Sequence, residues 1–178
     1  MNFTLKSLSV AIFSLTTVEA LKVGLLSDLH LHLRYDESIG TTESGQGDCM
    51  QGGGIPSLIK APMGRYGCDS PTILIDHMFT RMAEKFNDLD VILLTGDFAA
   101  HHVAMSSGEK DDEKTYALLL ETFGYLNELI ALKFPNLLIL PAFGNNDSKY
   151  HDNPIPDKDA PFFYTYVFNL WFKLLPGN

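Results

Sequence analysis

Short apolar runs recur along the chain, and each ends abruptly in small or polar residues. The runs occupy residues 21–27, 90–95 and 137–142, and each is followed closely by a Gly, an Asn or an Asp. Apolar runs of this length, bounded by such residues, are typical of buried β-strands. We therefore predict three strands, each followed by a polar loop.

Helical periodicity separates these strands. Ser70 can cap a helix over residues 71–87, with Pro71 at its first position. A second helix is predicted over residues 111–134, because apolar side chains recur there at helical spacing. These side chains are Leu119, Phe123, Leu126, Ile130 and Phe134. The aromatic segment 160–175 predicts a last helix that packs on the body of the domain, since polar residues within it argue against a membrane span.

The predicted elements follow the order strand, long loop, helix, strand, helix, strand and helix. Alternation of this kind implies an α/β fold with parallel strands and right-handed crossovers. Ligands of such sheets bind just beyond the carboxyl ends of the strands. The long loop, residues 34–67, is rich in Gly, Ser and Thr, and loops of this length are usually functional or disordered.

Residue types that bind metal ions follow the predicted strands. Asp28 and His30 follow the first strand, and because they are two residues apart they would point the same way on an extended backbone. Asp97 follows the second strand and Asn145 the third, so one edge of the sheet receives all four residues. A carboxylate beside an imidazole suits a transition-metal ion. An Asp-x-His pair by itself is common by chance, so only the joint pattern predicts a metal site.

The charge of the chain narrows its partners. The chain has 178 residues, enough for one domain, and a formal net charge of -9. This charge argues against a nucleic-acid backbone as the partner. An anionic phosphate substrate would also be repelled, unless bound cations reversed the field at the site.

The first 20 residues have the features of a secretory signal peptide. Lys6 gives a weak basic start, and residues 8–18 form an apolar segment shorter than the roughly 20 residues that span a bilayer. A cleavage site of the small-x-small type ends at Ala20, so we predict a mature chain of residues 21–178. This interpretation predicts a secreted protein, extracellular or in the lysosomal or endomembrane lumen. The alternative is a first core strand.

The chain has two cysteines, Cys49 and Cys68. In an oxidising compartment they predict one disulfide, which would close a loop of about 20 residues and stabilise the fold by roughly 3 kcal/mol. Two free thiols are the alternative. A redox function built on them would need an environment that lowers the thiol pKa, and the sequence does not show one.

Separated motifs agree in their order with one known family. They are Asp28-x-His30, Gly-Cys-Asp-Ser-Pro at 67–71, Thr-Gly-Asp-Phe-Ala-Ala-His at 95–101 and Phe-Gly-Asn-Asn-Asp at 143–147. Together they resemble the calcineurin-like metallophosphoesterases, and more closely the acid sphingomyelinase-like phosphodiesterases. The resemblance extends from residue 21 to the C-terminus.

The resemblance implies a fold and a metal centre. The fold would be the N-terminal half of a metallophosphoesterase β-sandwich flanked by helices, with its site at the carboxyl ends of the parallel strands. The centre would hold two divalent metal ions, which are commonly zinc in secreted members. Asp28 and His30 would bind the first ion, Asp97 would bridge both and Asn145 would bind the second. Such ions neutralise phosphoryl oxygens and activate a water molecule.

The resemblance also implies two catalytic residues. His101 matches the family's histidine near the substrate, which assists the leaving group. Asn146 stands where many relatives have His, and an amide can hydrogen-bond a phosphoryl oxygen but supplies no proton at neutral pH. In those relatives the His can protonate the leaving group as a general acid. Its replacement by Asn146 would lower the rate by about 10² to 10⁴, unless His101 takes over this role.

The chain departs from the family in its later motifs. Relatives complete both metal shells with a late Gly-His-x-His segment, and no Gly-His pair occurs here. Zinc generally takes at least four ligands, so we predict that the phosphoesterase domain, residues 21–178, is incomplete at its C-terminus. An exposed apolar edge is then expected where the missing half would pack.

The predicted function is a metal-dependent phosphodiesterase acting on sphingomyelin-like or nucleotide-like substrates. Its partner would be a phosphodiester small molecule or a lipid head group. The incomplete metal shell leaves open whether this chain alone turns over substrate. The alternative function is a non-catalytic remnant of the enzyme that binds phosphate esters or a partner protein.

Overall fold

The computed structural model describes residues 20–41, 49–101, 103, 112–148, 150 and 153–177. Apart from Ala20, the predicted signal peptide therefore lies outside the described residues. In chain order the elements are β1 Val23–Leu26, β2 Ile39–Gly40, β3 Ile55–Pro56, α1 Thr72–Lys85, β4 Val91–Leu94, α2 Asp112–Lys133, β5 Leu138–Pro141 and α3 Ala160–Phe172.

The three predicted strands form one parallel sheet in the order β1-β4-β5. Val23 lies beside Val91, and Val91 lies beside Leu138, so the strands end level with one another. Each strand begins and ends within two residues of its predicted bounds. The α/β fold class and the parallel arrangement are thus confirmed, and the carboxyl ends of all three strands lie at one edge.

The helices share one core with one face of this sheet. Ile92, Leu94 and Ile139 on that face are buried, and they form a single cluster with side chains of every helix. The helical members include Phe79 of α1, Leu119, Phe123, Leu126 and Ile130 of α2, and Phe163 and Val167 of α3. The periodicity predicted for α2 is therefore confirmed as its core face.

The opposite face of the sheet is apolar and largely uncovered by the described residues. Leu25, Leu93 and Leu140 lie side by side across the strands. Leu25 is 66% exposed, and Leu140 and Val23 are each 45% exposed. The sequence predicted an exposed apolar edge, and the described residues show an exposed apolar face that includes both edge strands, β1 and β5.

The long loop contains more structure than its composition predicts. Its strands β2 and β3 pair antiparallel, with Ile39 opposite Pro56. Cys49 and Cys68 form the predicted disulfide, with their Cα atoms 5.7 Å apart. The disulfide therefore joins this loop to the residues that precede α1.

The start of α1 differs from the prediction. The helix begins at Thr72 after Pro71, and no side-chain cap is formed. Ser70 is not the cap, because its backbone pairs with the segment after β1. The Ser70 N–H donates to the His30 carbonyl over 2.9 Å, and the His32 N–H donates to the Ser70 carbonyl over 2.8 Å. This long-range pairing holds residue 69 beside the ends of β1 and β4.

The last helix packs on the body of the domain, as predicted. Phe163 is fully buried and Val167 is 1% exposed, whereas Phe162 and Phe168 project outward. Helix α3 ends at Phe172, three residues before its predicted end. Within the described residues, no helix is long and apolar enough to cross a membrane.

Candidate metal and active site

The segments that follow β1 and β4 remain hydrogen-bonded beyond the strands. The Asp28 N–H donates to the Gly96 carbonyl over 3.1 Å, and the His30 N–H donates to the Asp97 carbonyl over 2.9 Å. Leu31 continues the pairing with a bond of 2.8 Å to Phe98. Two strand ends therefore fix the positions of Asp28, His30 and Asp97 relative to one another.

The backbone at these three residues is strained. Asp28, His30 and Asp97 have φ angles of 57°, 41° and 56°, and they are the non-glycine residues with positive φ in the described chain. The expectation of an extended backbone at Asp28 and His30 was wrong. Left-handed conformations at non-glycine residues cost about 1–3 kcal/mol each and are concentrated at functional sites.

Two glycines allow the third strand end to approach closely. A Cβ atom on Gly96 would lie 2.1 Å from the Gly144 nitrogen, and one on Gly144 would lie 2.1 Å from Oδ1 of Asp97. Side chains at either position would therefore push the loops apart. The glycines of the Gly-Asp and Gly-Asn motifs are explained by this contact between backbones.

The His30 ring presents one nitrogen to a backbone carbonyl and the other to two carboxylates. Its Nδ1 lies 3.2 Å from the Ala99 carbonyl oxygen. A carbonyl only accepts hydrogen bonds, so Nδ1 carries the proton and Nε2 of the neutral ring carries the lone pair. Nε2 lies 3.7 Å from Oδ1 of Asp28 and 3.8 Å from Oδ2 of Asp97.

These distances fit ligands around a common ion. Both are too long for hydrogen bonds. Two ligands about 2.1 Å from one zinc ion in tetrahedral geometry lie about 3.4 Å apart, close to the observed spacing. One ligand atom from each of Asp28, His30 and Asp97 lies within 4.8 Å of the others. The donor set, two carboxylates and an imidazole, also suits a divalent transition metal.

The predicted asparagines occupy different environments. Asn146 is buried, its backbone N–H donates to Oδ1 of Asp97 over 3.0 Å, and its Nδ2 donates to Oδ2 over 3.2 Å. Its own Oδ1 is buried and has no hydrogen-bond partner among the described residues. Asn145 is exposed and lines a cleft of about 280 Å³, beside Phe143 and Tyr164. The structure thus places Asn146, rather than Asn145, in hydrogen-bond contact with Asp97.

A buried carboxylate that was not predicted to have a role ties the loops together. Asp147 is 1% exposed. Its two oxygens accept hydrogen bonds from the backbone N–H groups of Asp97, Phe98, Ala99 and Gly144, over 2.7–3.2 Å. Burial raises the pKa of the Asp147 carboxyl above its ordinary value, while these four donors oppose the rise. Asp147 lies inside the Gly-Asn-Asn-Asp motif, and that position was the available signal.

His101 stacks on the candidate metal ligand His30. The ring centroids are 4.0 Å apart and the ring planes differ by 18°. Nδ1 of His101 lies 2.7 Å from Oδ1 of Asp69, and its backbone N–H donates to Oδ2 of Asp69 over 2.9 Å. Sequence reasoning gave Asp69 no role, because the motif at 67–71 was interpreted as the start of a helix and as a mark of the family resemblance, without a function for its carboxylate.

Comparisons with known proteins agree with the motifs. The chain is 33% identical over 146 residues to acid sphingomyelinase-like phosphodiesterase 3b of Mus musculus, a match that covers 82% of this chain. The Homo sapiens protein of the same name is 31% identical over the same share. Cyclic GMP-AMP phosphodiesterase SMPDL3A of Homo sapiens is 27% identical, again over 82% of this chain.

The matches cover only part of each relative. The chain spans only 29% of the length of each of these relatives. No protein-family model matches the chain. Across most of its own length, nevertheless, the chain is similar to acid sphingomyelinase-like phosphodiesterases, which confirms the resemblance that its motifs predicted.

Proposed function

We propose that the chain provides metal ligands and catalytic groups of a phosphodiesterase that hydrolyses small phosphodiesters. The observation that carries the proposal is the geometry of His30. Its Nε2 faces the carboxylates of Asp28 and Asp97 at 3.7 Å and 3.8 Å, while a carbonyl fixes its other nitrogen. Strained backbone at the same three residues supports a functional role for the cluster.

The site would hold two divalent ions, with zinc the expected metal. Asp28, His30 and Asp97 would hold the first ion, and Asp97 with Asn145 the second. Such ions supply charge neutralisation at the phosphoryl oxygens and a water of lowered pKa. The buried acceptor of Asn146, which has no partner among the described residues, offers a further oxygen beside Asp97. A net charge of -9 disfavours an anionic substrate, and cations at the site would reverse this field locally.

The chain's own residues would share the remaining work. His101, stacked on His30, would protonate the leaving-group oxygen. Asn146 would orient a phosphoryl oxygen without supplying a proton. Asp147 would keep the loops after β4 and β5 together, since it accepts hydrogen bonds from both.

The substrate class and compartment are extensions of the same proposal. One relative of the chain, from Dictyostelium discoideum, is named a sphingomyelin phosphodiesterase, and the Homo sapiens relative SMPDL3A is named a cyclic GMP-AMP phosphodiesterase. We therefore propose a phosphodiester of the lipid head group or nucleotide type. A disulfide and an N-terminal segment of signal-peptide character support a secreted or lumenal protein.

Zinc stoichiometry and phosphodiester hydrolysis test the proposal together. The purified chain should bind at least about one zinc ion and hydrolyse bis(p-nitrophenyl) phosphate, and Asp97→Asn should abolish both. Asp88→Asn is the matched control, because Asp88 is exposed and lies near the opposite end of β4. Wild-type protein without bound zinc would contradict the proposed metal site.

A second function is supported by one observation, the amide at position 146. An active site without the family's second histidine can bind a phosphate ester without cleaving it. Zinc binding and phosphate-dependent thermal stabilisation, with no hydrolysis of any phosphodiester, would identify this chain as a binding protein instead of an enzyme.

A further inference from the structure

We propose that Asp69 is a positioning residue, which holds the His101 ring in the tautomer and orientation that proton transfer to the leaving group requires. The inference rests on the proposed function, because it assigns a partner to the residue that would donate this proton. Three observations carry it: a pair of hydrogen bonds, a ring stack and the anchoring of residue 69.

The Asp69 carboxylate contacts His101 twice. Oδ2 accepts the backbone N–H over 2.9 Å, and Oδ1 lies 2.7 Å from the ring Nδ1. The Asp69 side chain is 14% exposed, whereas the His101 side chain is 50% exposed. A largely buried carboxylate thus fixes both the backbone and the ring of a residue that faces solvent. An ion pair between two fully exposed side chains would hold the ring much less firmly.

Residue 69 is itself held from both sides. Cys68 is bonded to Cys49. Ser70 pairs through its backbone with His30 and His32, at 2.9 Å and 2.8 Å. The carboxylate therefore projects from a segment with little freedom, anchored on the same loop that carries the candidate ligand His30.

The contact determines which ring nitrogen reacts. An ionised carboxylate only accepts hydrogen bonds, so Nδ1 of His101 is the protonated nitrogen of the neutral ring. A second proton then resides on Nε2, on the other side of the ring from Asp69. The stack on His30, with centroids 4.0 Å apart, places this ring beside the candidate metal ligands.

In the proposed step, one bond to phosphorus forms and another breaks. A water oxygen forms a bond to phosphorus, and the bond between phosphorus and the leaving oxygen breaks with its electron pair retained on that oxygen. Nε2 of His101 gives its proton to this oxygen, and a proton from the attacking water restores the ring. Asn146 cannot take this part, because an amide supplies no proton at neutral pH.

Nuclear magnetic resonance of the ¹⁵N-labelled full chain tests the contact directly. In the neutral ring of His101, the Nδ1–H form should predominate, because Oδ1 of Asp69 lies 2.7 Å from Nδ1. Asp69→Asn should lower the ratio of the Nδ1–H form to the Nε2–H form about fivefold, since a neutral acceptor is weaker than a carboxylate. Asp76→Asn is the control, because Asp76 lies on α1 and pairs with Lys133 instead.

Zinc binding and leaving-group dependence separate positioning from other roles. Asp69→Asn should bind zinc as tightly as wild type. Its kcat should fall about 10²-fold with an alkyl phosphodiester, whose leaving group needs a proton, and only a few-fold with a p-nitrophenyl ester. Asp69→Glu should restore part of the alkyl-ester rate, because it returns an ionised acceptor.

Several results would overturn the inference. An Nε2–H tautomer of His101 in the wild type would show that Asp69 does not set the tautomer. A tautomer ratio unchanged by Asp69→Asn would show the same. Loss of zinc equal to that of Asp97→Asn would make Asp69 a ligand, as its proximity to His30 and His101 permits. Equal rate losses with both esters would indicate a purely structural role. Absence of zinc from the wild-type chain instead contradicts the proposed function, and the tautomer ratio still decides whether the pair exists.

Discussion

At the scale of single residues, the site depends on a carboxylate that binds no metal in the proposed scheme. Asp147 accepts four backbone N–H groups from the loops after β4 and β5. If the carboxylate were lost, the buried donors of Phe98 and Ala99 and the partly buried donors of Asp97 and Gly144 would lose this partner. Buried donors without partners cost about 1–3 kcal/mol each, so one side chain supports two loops.

Asp147→Asn tests this role. An amide offers one acceptor oxygen and turns its NH₂ group toward backbone donors, so the free energy of unfolding should fall by about 3 kcal/mol. Urea denaturation measures the change. Asp88→Asn, at an exposed carboxylate, should change stability by less than about 0.5 kcal/mol. A loss of unfolding free energy below about 1 kcal/mol for Asp147→Asn would contradict the role of Asp147 in holding the two loops together.

Gly144→Ala tests the contact between the Gly-Asp and Gly-Asn loops. The added Cβ would lie 2.1 Å from Oδ1 of Asp97, so Asp97 must move. Zinc affinity should fall at least about 10-fold, as supporting changes around metal ligands do. Gly124→Ala is the control, since its Cβ meets only the Tyr166 hydroxyl at 4.0 Å. In mid-helix it should add up to about 1 kcal/mol of stability. Unchanged zinc binding in Gly144→Ala would dismiss the contact.

The sequence predicts residues by their spacing, and this has a physical limit. Asp28, His30 and Asp97 were found because each follows a strand, and the sheet brings them together. The extended backbone expected at Asp28 and His30 was wrong, since both residues have a left-handed backbone conformation. Asp69 and Asp147 were assigned no role, because a carboxylate that orients a neighbour has no spacing rule of its own.

At the scale of elements, the disulfide connects a loop to the candidate site. Cys68 directly precedes Asp69, which bonds to His101. Cys49 belongs to the loop in which β2 and β3 pair. Opening the disulfide would therefore release one support of Asp69 as well as a closed loop.

The double variant Cys49→Ser with Cys68→Ser should be less stable by roughly 3 kcal/mol, the value for a loop of this size. The His101 ring resonances should also shift toward a mixture of tautomers, because Asp69 is held less firmly. Chemical denaturation and ¹⁵N spectra measure the two effects. Ser57→Ala in the same loop serves as the control. Stability within about 0.5 kcal/mol of wild type would show that the disulfide contributes little.

The sequence predicted elements correctly where the local residue pattern determines the structure. It failed where the structure depends on hydrogen bonds between segments that are distant in the chain. The bounds of α2 were predicted to within a residue, because the helical spacing of its apolar residues can be recognised within the segment itself. The capping role of Ser70 was wrong, since its backbone pairs with His30 and His32. The β2–β3 pair also joins residues far apart in the loop, and local composition does not encode such a pairing.

At the scale of the whole molecule, the described residues cover only one face of the sheet. The helices cover Ile92, Leu94 and Ile139, whereas Leu25 and Leu140 on the other face are exposed. Strands that are apolar on both faces are typical of sheets covered on both sides. Exposed apolar patches of this kind mark interaction surfaces or aggregation liabilities.

Leu25→Thr combined with Leu140→Thr tests whether this face is open in solution. Threonine keeps the β propensity of these positions and removes exposed apolar surface. Binding of an apolar fluorescent dye and concentration-dependent self-association should both fall. The free energy of unfolding should change by less than about 0.5 kcal/mol, because exposed side chains contribute little packing. Leu58→Thr is the control, since Leu58 is fully exposed but lies outside the sheet. A loss above about 2 kcal/mol would instead mean that the face is buried in the folded protein, by a second copy or by a segment outside the described residues.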